Sequence, residues 1–543
     1  MSKEIKILFA IFLLALFLRI IKLGTYPVGF HADEVRVGWN AYSILKTGLD
    51  DRENLLALYY NTFGDYRPTG IFYLTIPSII LFGLNIFAVR FPSALFGALT
   101  IFPLYFITKK LLDNTKLATF SIILLALSPW HISVSRATSE VVISMFFALS
   151  GLYFYLHYFN SKKTKHLIYS SLLILISYLL YHSIRVLAPL FLLAILLFKL
   201  QSIKANKLTK NAFYLFLSFT FLTLLLSLNG NSRARLSQVS ITNSYEVQQV
   251  LSATDTAKIK TLFDNKNFIY FTQFAQEYGK YFSVDFLINS NTKPIRYSTP
   301  SIGLLTYSGF IFLLIGVYLA IKDKNYHLIL ILLLISPLAA ALTTEDSPNL
   351  HRSLFMLPFL IILMAIGITH FINKKVVLLK TVFRLLIIFY LFNLVQFGLS
   401  YTTRAADKIG SWRNYGTYDL VLYLNEVHNN YEEVVVTNDP DDPYPWFAFF
   451  NKLDPKKFNT DAIRRSDGPW KYENILFSQS ECPSGDIFPG PKQNPLEKNV
   501  LVIDGFKCNV ESKLSDGMQA KVLKQFFNPD SSLAYTVWVK SEE

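Results

Sequence analysis

Apolar runs long enough to cross a bilayer dominate the chain, at residues 5–23, 88–108, 116–134, 140–158, 167–183, 186–199, 211–229, 301–321, 326–342, 353–371 and 376–399. Crossing a hydrocarbon core of about 30 Å takes roughly 20 apolar residues, so each run is a candidate span. A further apolar segment, Ile71–Leu84, is ambiguous by length. From about Arg404 the pattern turns soluble. A helical period over Tyr418–Val427 precedes Val434–Thr437, Val500–Ile503 and Tyr535–Val539, which read as strands. The expected fold is therefore mainly α, a polytopic membrane protein of about eleven transmembrane helices plus juxtamembrane helices. A C-terminal extracytoplasmic α/β domain follows. The expected boundaries are 1–402 for the membrane domain, with outer-face loops 24–87 and 230–300, and 403–543 for the soluble domain.

Between the first two spans lies a polar stretch, Phe30-His31-Ala32-Asp33-Glu34, leading to Gly64-Asp65-Tyr66-Arg67-Pro68. After Glu34, Val35, Trp39, Tyr42 and Leu45 share one helical face, while Arg36, Asn40, Ser43 and Thr47 share the other, and Gly48 ends the run. This predicts a short amphipathic helix lying in the membrane interface, its two carboxylates at the dipole-favoured N-terminus. An acid at a bilayer surface is unfavourable unless it has work to do, since Asp at a helix centre costs about 2.5–3.5 kcal/mol. The stretch reads as an active-site loop.

Of the 543 residues 52% are hydrophobic and 15% aromatic, and the net charge is +14. The lysines cluster in short loops between apolar runs, which points to topology and away from nucleic acid. If Ile71–Leu84 does not cross, then Lys109-Lys110, Lys162 to Lys165, Lys199 to Lys210, Lys322-Lys324 and Lys374-Lys375 share the N-terminus's cytoplasmic side. If it crosses, all flip outward together. The first arrangement is expected, with Ile71–Leu84 as a re-entrant or surface helix. The N-terminal run lacks a small-residue cleavage site and reads as a retained span. Cys482 and Cys508 both fall in the soluble domain, where a disulfide is permitted.

That topology gathers acids and bases from distant segments at one membrane face: Asp33, Glu34, Asp65, Arg67, Arg136, Glu140, Arg185, Arg296, Glu345, Asp346, His351 and Arg352. Arginines suit a phosphate, and a carboxylate suits a hydroxyl whose proton must leave. No glycine-rich phosphate loop, zinc spacing or nucleophile elbow is present in the sequence, and no cofactor or metal is expected. The run Asp439-Pro440-Asp441-Asp442-Pro443-Tyr444-Pro445-Trp446 reads first as a turn-rich loop and second as an exposed aromatic platform. A multi-span transporter or lipid flippase is the alternative from another class. It would usually show related halves and midplane charges, and neither is visible here.

Several of these motifs follow one another in an order that resembles a known family. Phe30 to Glu34, Asn40-Ala41-Tyr42, Gly64 to Pro68, Ala88-Val89-Arg90-Phe91-Pro92-Ser93-Ala94 and Ser128-Pro129-Trp130-His131-Ile132 to Arg136 together look like the bacterial branch of the protein O-mannosyltransferase superfamily. That branch includes the aminoarabinose transferases. The resemblance covers roughly residues 1–400 and implies a C-type membrane glycosyltransferase taking sugar from a polyprenyl-phosphate carrier. Its acceptor would be a lipid, protein or glycan. It implies Asp33 as the base and Arg67 as the donor-phosphate contact, although Arg67-Pro68-Thr69 stands where the family commonly has Lys-Pro-Pro. Glu34 and Glu140 are further candidate catalytic acids, and Arg136, Arg296 and Arg352 further phosphate contacts. His31, Asp65, Tyr66 and His351 are candidate substrate contacts.

Overall fold

The computed structural model describes residues 3–62, 65–201, 207–228, 240–243, 245–255, 265–289, 292–372, 376–439, 441, 443–461, 463–465, 468–488, 499–508 and 520–540. Gly64, Lys204, Lys374, Lys375, Pro440, Asp442 and parts of the 230–300 loop lie outside the described residues. The chain divides into two compact units. One comprises 1–21, 58–70 and 92–401; the other comprises 22–57, 71–91 and 402–543. The soluble C-terminal region thus shares its unit with two segments that the sequence groups with the membrane domain.

The first unit is helical. It contains α1 (Lys3–Ile20), α5 (Ile101–Leu112), α6 (Thr115–Ala126), α7 (Pro129–Ser135), α8 (Glu140–Ser161), α9 (Lys165–Tyr178), α10 (Ser183–Leu200) and α11 (Lys207–Leu228), with further helices at Tyr307–Lys322, Leu357–Ile372 and Val377–Thr403. Seven helices among the described residues are long and apolar enough to cross a membrane, and the bent pair α6–α7 makes up to eight. Each coincides with an expected span, which makes this a multi-pass membrane protein. The helix Leu357–Ile372 is buried along nearly its whole length. Tyr307–Lys322 packs on it through two glycines: a Cβ on Gly316 would stand 1.8 Å from the Leu363 carbonyl oxygen, and one on Gly367 2.2 Å from that of Phe312. Small residues at crossings are how helices approach where lipid offers no hydrophobic drive.

The second unit holds α2 (Ala32–Thr47), α3 (Gly70–Phe82) and the start of α4 (Ile86–Leu99), together with the C-terminal region. At about 1.5 Å per residue, α3 with its 13 residues spans roughly 20 Å, short of a hydrocarbon core. It leaves Ile80, Leu81 and Phe82 exposed.

The C-terminal sheet is mixed, with strand order β4-β5-β6-β3-β7-β9-β8. These are β3 (Glu433–Val436), β4 (Ile463–Arg465), β5 (Gly468–Tyr472), β6 (Ile475–Phe477), β7 (Val500–Gly505), β8 (Ala520–Phe527) and β9 (Leu533–Lys540). β3 runs parallel to both β6 and β7 at the centre, and its Val434-Val435-Val436 run is buried, as expected of a strand covered on both faces. A disulfide joins Cys482 to Cys508. The expected helix and three strands are all present.

Two expectations change. The helix at 32–47 does not lie half-exposed in an interface: Ala32, Glu34 to Ala41 and Ser43 are all buried. On its polar face the Asn40 side-chain oxygen accepts from the Asp51 backbone N–H at 3.0 Å. Nor is the 439–446 run an aromatic platform. Tyr444 and Trp446 open a helix, Tyr444–Phe450, and are 2% and 1% exposed. Tyr444 donates to Asp51 and Trp446 to the Phe30 carbonyl.

Candidate active site

The α2 N-terminus is built by a capping box. His31 is the N-cap; its Nδ1 accepts from the Asp33 N–H at 3.1 Å, and Glu34 accepts from the His31 N–H at 3.3 Å. Because Nδ1 accepts, the neutral imidazole carries its proton on Nε2. Gly48 closes the helix in the left-handed conformation, with φ +80°.

The two adjacent acids have different surroundings. Glu34 is 2% exposed and held by two guanidinium groups. Arg90 grips it with Nε on Oε1 at 2.9 Å and Nη2 on Oε2 at 3.0 Å, and Arg413 donates to Oε2 as well. Arg90 further donates to the carbonyls of Leu23, Pro27 and Gly29, and Arg413 to that of Val28. Gly29 adopts φ +73° with its α-carbon against Arg413, where a Cβ would stand 2.5 Å from the carbonyl oxygen. The loop before α2 is thus wrapped around two buried arginines neutralised in part by one carboxylate. Glu34 reads as an anchor. Asp33, one residue earlier, has a side chain 28% exposed, 3.5 Å from His31 Nδ1. It stays at the surface of a rigid turn, in a position where the helix dipole favours negative charge.

The remaining described candidates belong to the helical unit. Tyr66 and Arg67 lie in a hairpin, β1 (Tyr59–Thr62) paired antiparallel with β2 (Asp65–Pro68), where Arg67 faces Tyr60. Three contacts pin the hairpin to the α9–α10 turn. His182 Nε2 lies 3.0 Å from the Tyr66 carbonyl, Arg185 donates to the Tyr59 hydroxyl at 2.8 Å, and the Gly70 N–H bonds the Leu179 carbonyl. A Cβ on Gly70 would meet that carbonyl oxygen at 2.6 Å, so the close approach needs glycine. Of Asp65 only the backbone is described. Next along the same turn, the Tyr181 hydroxyl reaches His351 Nδ1 at 3.5 Å, while His351 Nε2 bonds the Ser139 hydroxyl at 2.9 Å. His351 also stacks on Tyr297, the neighbour of Arg296. Ser139 is the N-cap of α8, whose first residue is Glu140. Arg67, Glu140, Arg296 and His351 are therefore carried on segments tied to one another.

Two expected phosphate contacts also make hydrogen bonds within the fold. Arg136 donates to the carbonyls of Leu18, Arg19 and Ile21, capping the C-terminal end of α1. Arg352 bonds Thr343 and both the carbonyl and carboxylate of Glu345, holding its own turn. Among the described residues no group of three His, Cys, Asp or Glu side chains could hold a metal. Sequence reasoning did not select Arg90 and Arg413 as members of the site. For Arg90 the signal existed, a lone arginine inside the apolar run 86–99; such a charge needs a partner. For Arg413 there was none.

Residues 66–228 match the family model of the dolichyl-phosphate-mannose-protein mannosyltransferases. The match takes in Arg67, Arg136 and Glu140 but begins after Asp33 and Glu34. A comparison with curated protein sequences gives no match. Among solved structures, the chain resembles ArnT from Cupriavidus metallidurans in the apo state, at 11% identity and a TM-score of 0.52, covering 98% of this chain and 97% of that one. The same protein bound to undecaprenyl phosphate gives 11%, 0.51 and the same coverage. The archaeal oligosaccharyltransferase AglB from Archaeoglobus fulgidus gives 11% identity and a TM-score of 0.49, covering 98% of this chain and 74% of that one. The fold and the matched region make the chain similar to one class, the multi-pass membrane glycosyltransferases of the C-type fold. Within that class, the resemblance read from the motifs, to the protein O-mannosyltransferase superfamily, stands.

Proposed function

We propose that this protein moves a sugar from a polyprenyl-phosphate carrier to an acceptor hydroxyl at the outer face of the cytoplasmic membrane. The carrier class is supported by the undecaprenyl phosphate bound to ArnT and by the dolichyl phosphate named in the matched family. The observation that carries the mechanism is the contrast at the α2 N-terminus, where a locked Glu34 fixes the turn and leaves Asp33 accessible. Asp33 takes the proton from the acceptor hydroxyl as its oxygen attacks the anomeric carbon. The bond from that carbon to the phosphate oxygen breaks on the opposite face, so the centre inverts. The lipid phosphate leaves with the electron pair, and Arg67 stabilises its growing charge. Phosphate is already a good leaving group and needs no strong acid.

The five basic clusters support a cytoplasmic N-terminus and an outer C-terminal domain. The shortness of α3, and its place in the same compact unit as the C-terminal sheet, support its not crossing. The test is to incubate purified protein in liposomes with radiolabelled mannosyl-phosphoryl-undecaprenol and a cell-envelope glycan and lipid extract. Label should move from carrier to acceptor with inverted anomeric configuration. Retained configuration would remove the single-step mechanism, and carrier that crosses the bilayer uncleaved would favour a flippase.

A further inference from the structure

Within the second unit, beside the α2 N-terminus, a cleft of about 460 Å³ opens between the β8–β9 hairpin and the segment 411–417. We propose that it is a saccharide-binding subsite that holds the sugar portion of a glycan acceptor next to Asp33. The proposal deepens the glycosyltransferase reading and rests on it for the word acceptor. Its volume falls within the span of small-ligand sites, about 300–1,000 Å³.

Three features select a sugar. Trp412 and Phe506 line the cleft and are 58% and 50% exposed, an unfavourable disposition for large apolar rings unless something covers them. Flat rings of this kind suit the C–H face of a pyranose. The polar lining supplies carboxylates, amides and hydroxyls, with Asp441, Asp530 and Asn528 among them, able to accept from and donate to sugar hydroxyls. Among the described lining residues there is no lysine or arginine, and two are aspartates, so a phosphate or anionic headgroup would be repelled.

The floor is firm and connected to the proposed base. Thr417 and Tyr535 are buried and hydrogen-bonded to each other at 2.8 Å. Asn414, held in the left-handed region at φ +54°, accepts from the Ala32 N–H at 3.3 Å through its side chain and reaches Asp441 at 3.4 Å. His31 lines the cleft while its Nδ1 accepts from the Asp33 N–H. A saccharide seated there touches the same turn that presents Asp33.

The experiment is saturation-transfer NMR on the full-length protein in nanodiscs without donor. The probes are mannotriose, maltotriose and chitotriose, with a serine- and threonine-rich octapeptide as the competing class. At least one trisaccharide should bind saturably, Trp412→Ala and Phe506→Ala should each weaken it tenfold or more, and Asp33→Asn should leave it unchanged. Both rings are exposed, so neither replacement empties a core, and a melting curve checks this. Binding of the octapeptide alone, binding of no probe, or binding indifferent to both ring variants would overturn the proposal. Transfer is scored separately. Transfer without saccharide binding would discard the subsite and keep the enzyme, whereas binding without transfer would discard the acceptor role.

Discussion

Replacing Glu34 by glutamine separates its anchoring role from chemistry. The substitution keeps size and one carbonyl oxygen but removes the negative charge that pairs with both the Arg90 and Arg413 guanidinium groups. Arg90 and Arg413 are 0% and 1% exposed in their side chains, and the Glu34 side chain 3%, so water cannot take over the lost charge. Breaking a buried ion pair from one side typically costs about 3–5 kcal/mol, most of it the uncompensated charge left behind. For a folding unit of 150–250 residues, about 2–4 °C of melting temperature follows each kcal/mol, so a drop of roughly 6–20 °C is expected. The assay is thermal unfolding in detergent, followed by intrinsic fluorescence, for wild type, Glu34→Gln and Asp33→Asn. Asp33 is partly exposed and should melt within about 2 °C of wild type, as surface substitutions do. A Glu34→Gln protein that melts like wild type yet fails to transfer sugar would refute the reasoning and move Glu34 into the reaction.

Three further outcomes follow from the same geometry. Arg67→Ala should weaken donor-lipid binding and slow turnover, and Arg67→Lys should recover part of both, because lysine keeps the charge without the bidentate fork; unchanged donor affinity in Arg67→Ala would shift the phosphate to Arg296. Single cysteines at Leu55 and Lys116, with the Cys482–Cys508 disulfide left intact, should react with an impermeant maleimide from opposite sides of the membrane, and same-side labelling would overturn the topology. Replacing both Cys482 and Cys508 by serine opens a loop of sequence separation 26 and should destabilise the second unit by about 3–4 kcal/mol on the chain-entropy account, read as earlier proteolysis of that region; equal protease resistance would contradict it.

What could be read from the sequence was local. The α2 helix showed its acids at the start and its glycine at the end because caps and periodicity act within a few residues. The spans were legible because a hydrocarbon core demands length and apolarity and little else. Other features depended on distant partners. Asn40, Arg36 and Ser43 looked solvent-facing because nothing in 32–47 reveals that they are buried, with Asn40 accepting from the backbone of Asp51. Trp446 read first as part of a turn-rich loop among prolines and aspartates, but its indole donates to the Phe30 carbonyl, more than four hundred residues earlier. The same distance hid Arg413 from Glu34. The β1–β2 hairpin was missed for a different reason: its strands are four residues each and carry no clear alternation. An arginine at a membrane face fits a phosphate and a helix C-terminus equally well from sequence, so the bonds from Arg136 to the carbonyls of Leu18 and Ile21 were not legible there.

The central claim is that Asp33 removes the acceptor's proton. Its most direct test is the single-turnover rate of sugar transfer from mannosyl-phosphoryl-undecaprenol by the Asp33→Asn enzyme, with donor binding measured on the same preparation. A positioned general base is worth about 10²–10⁴-fold, so the rate should fall by that factor while donor affinity and melting temperature stay at wild-type values. A near-normal single-turnover rate in Asp33→Asn would contradict the account and pass the base to Glu140.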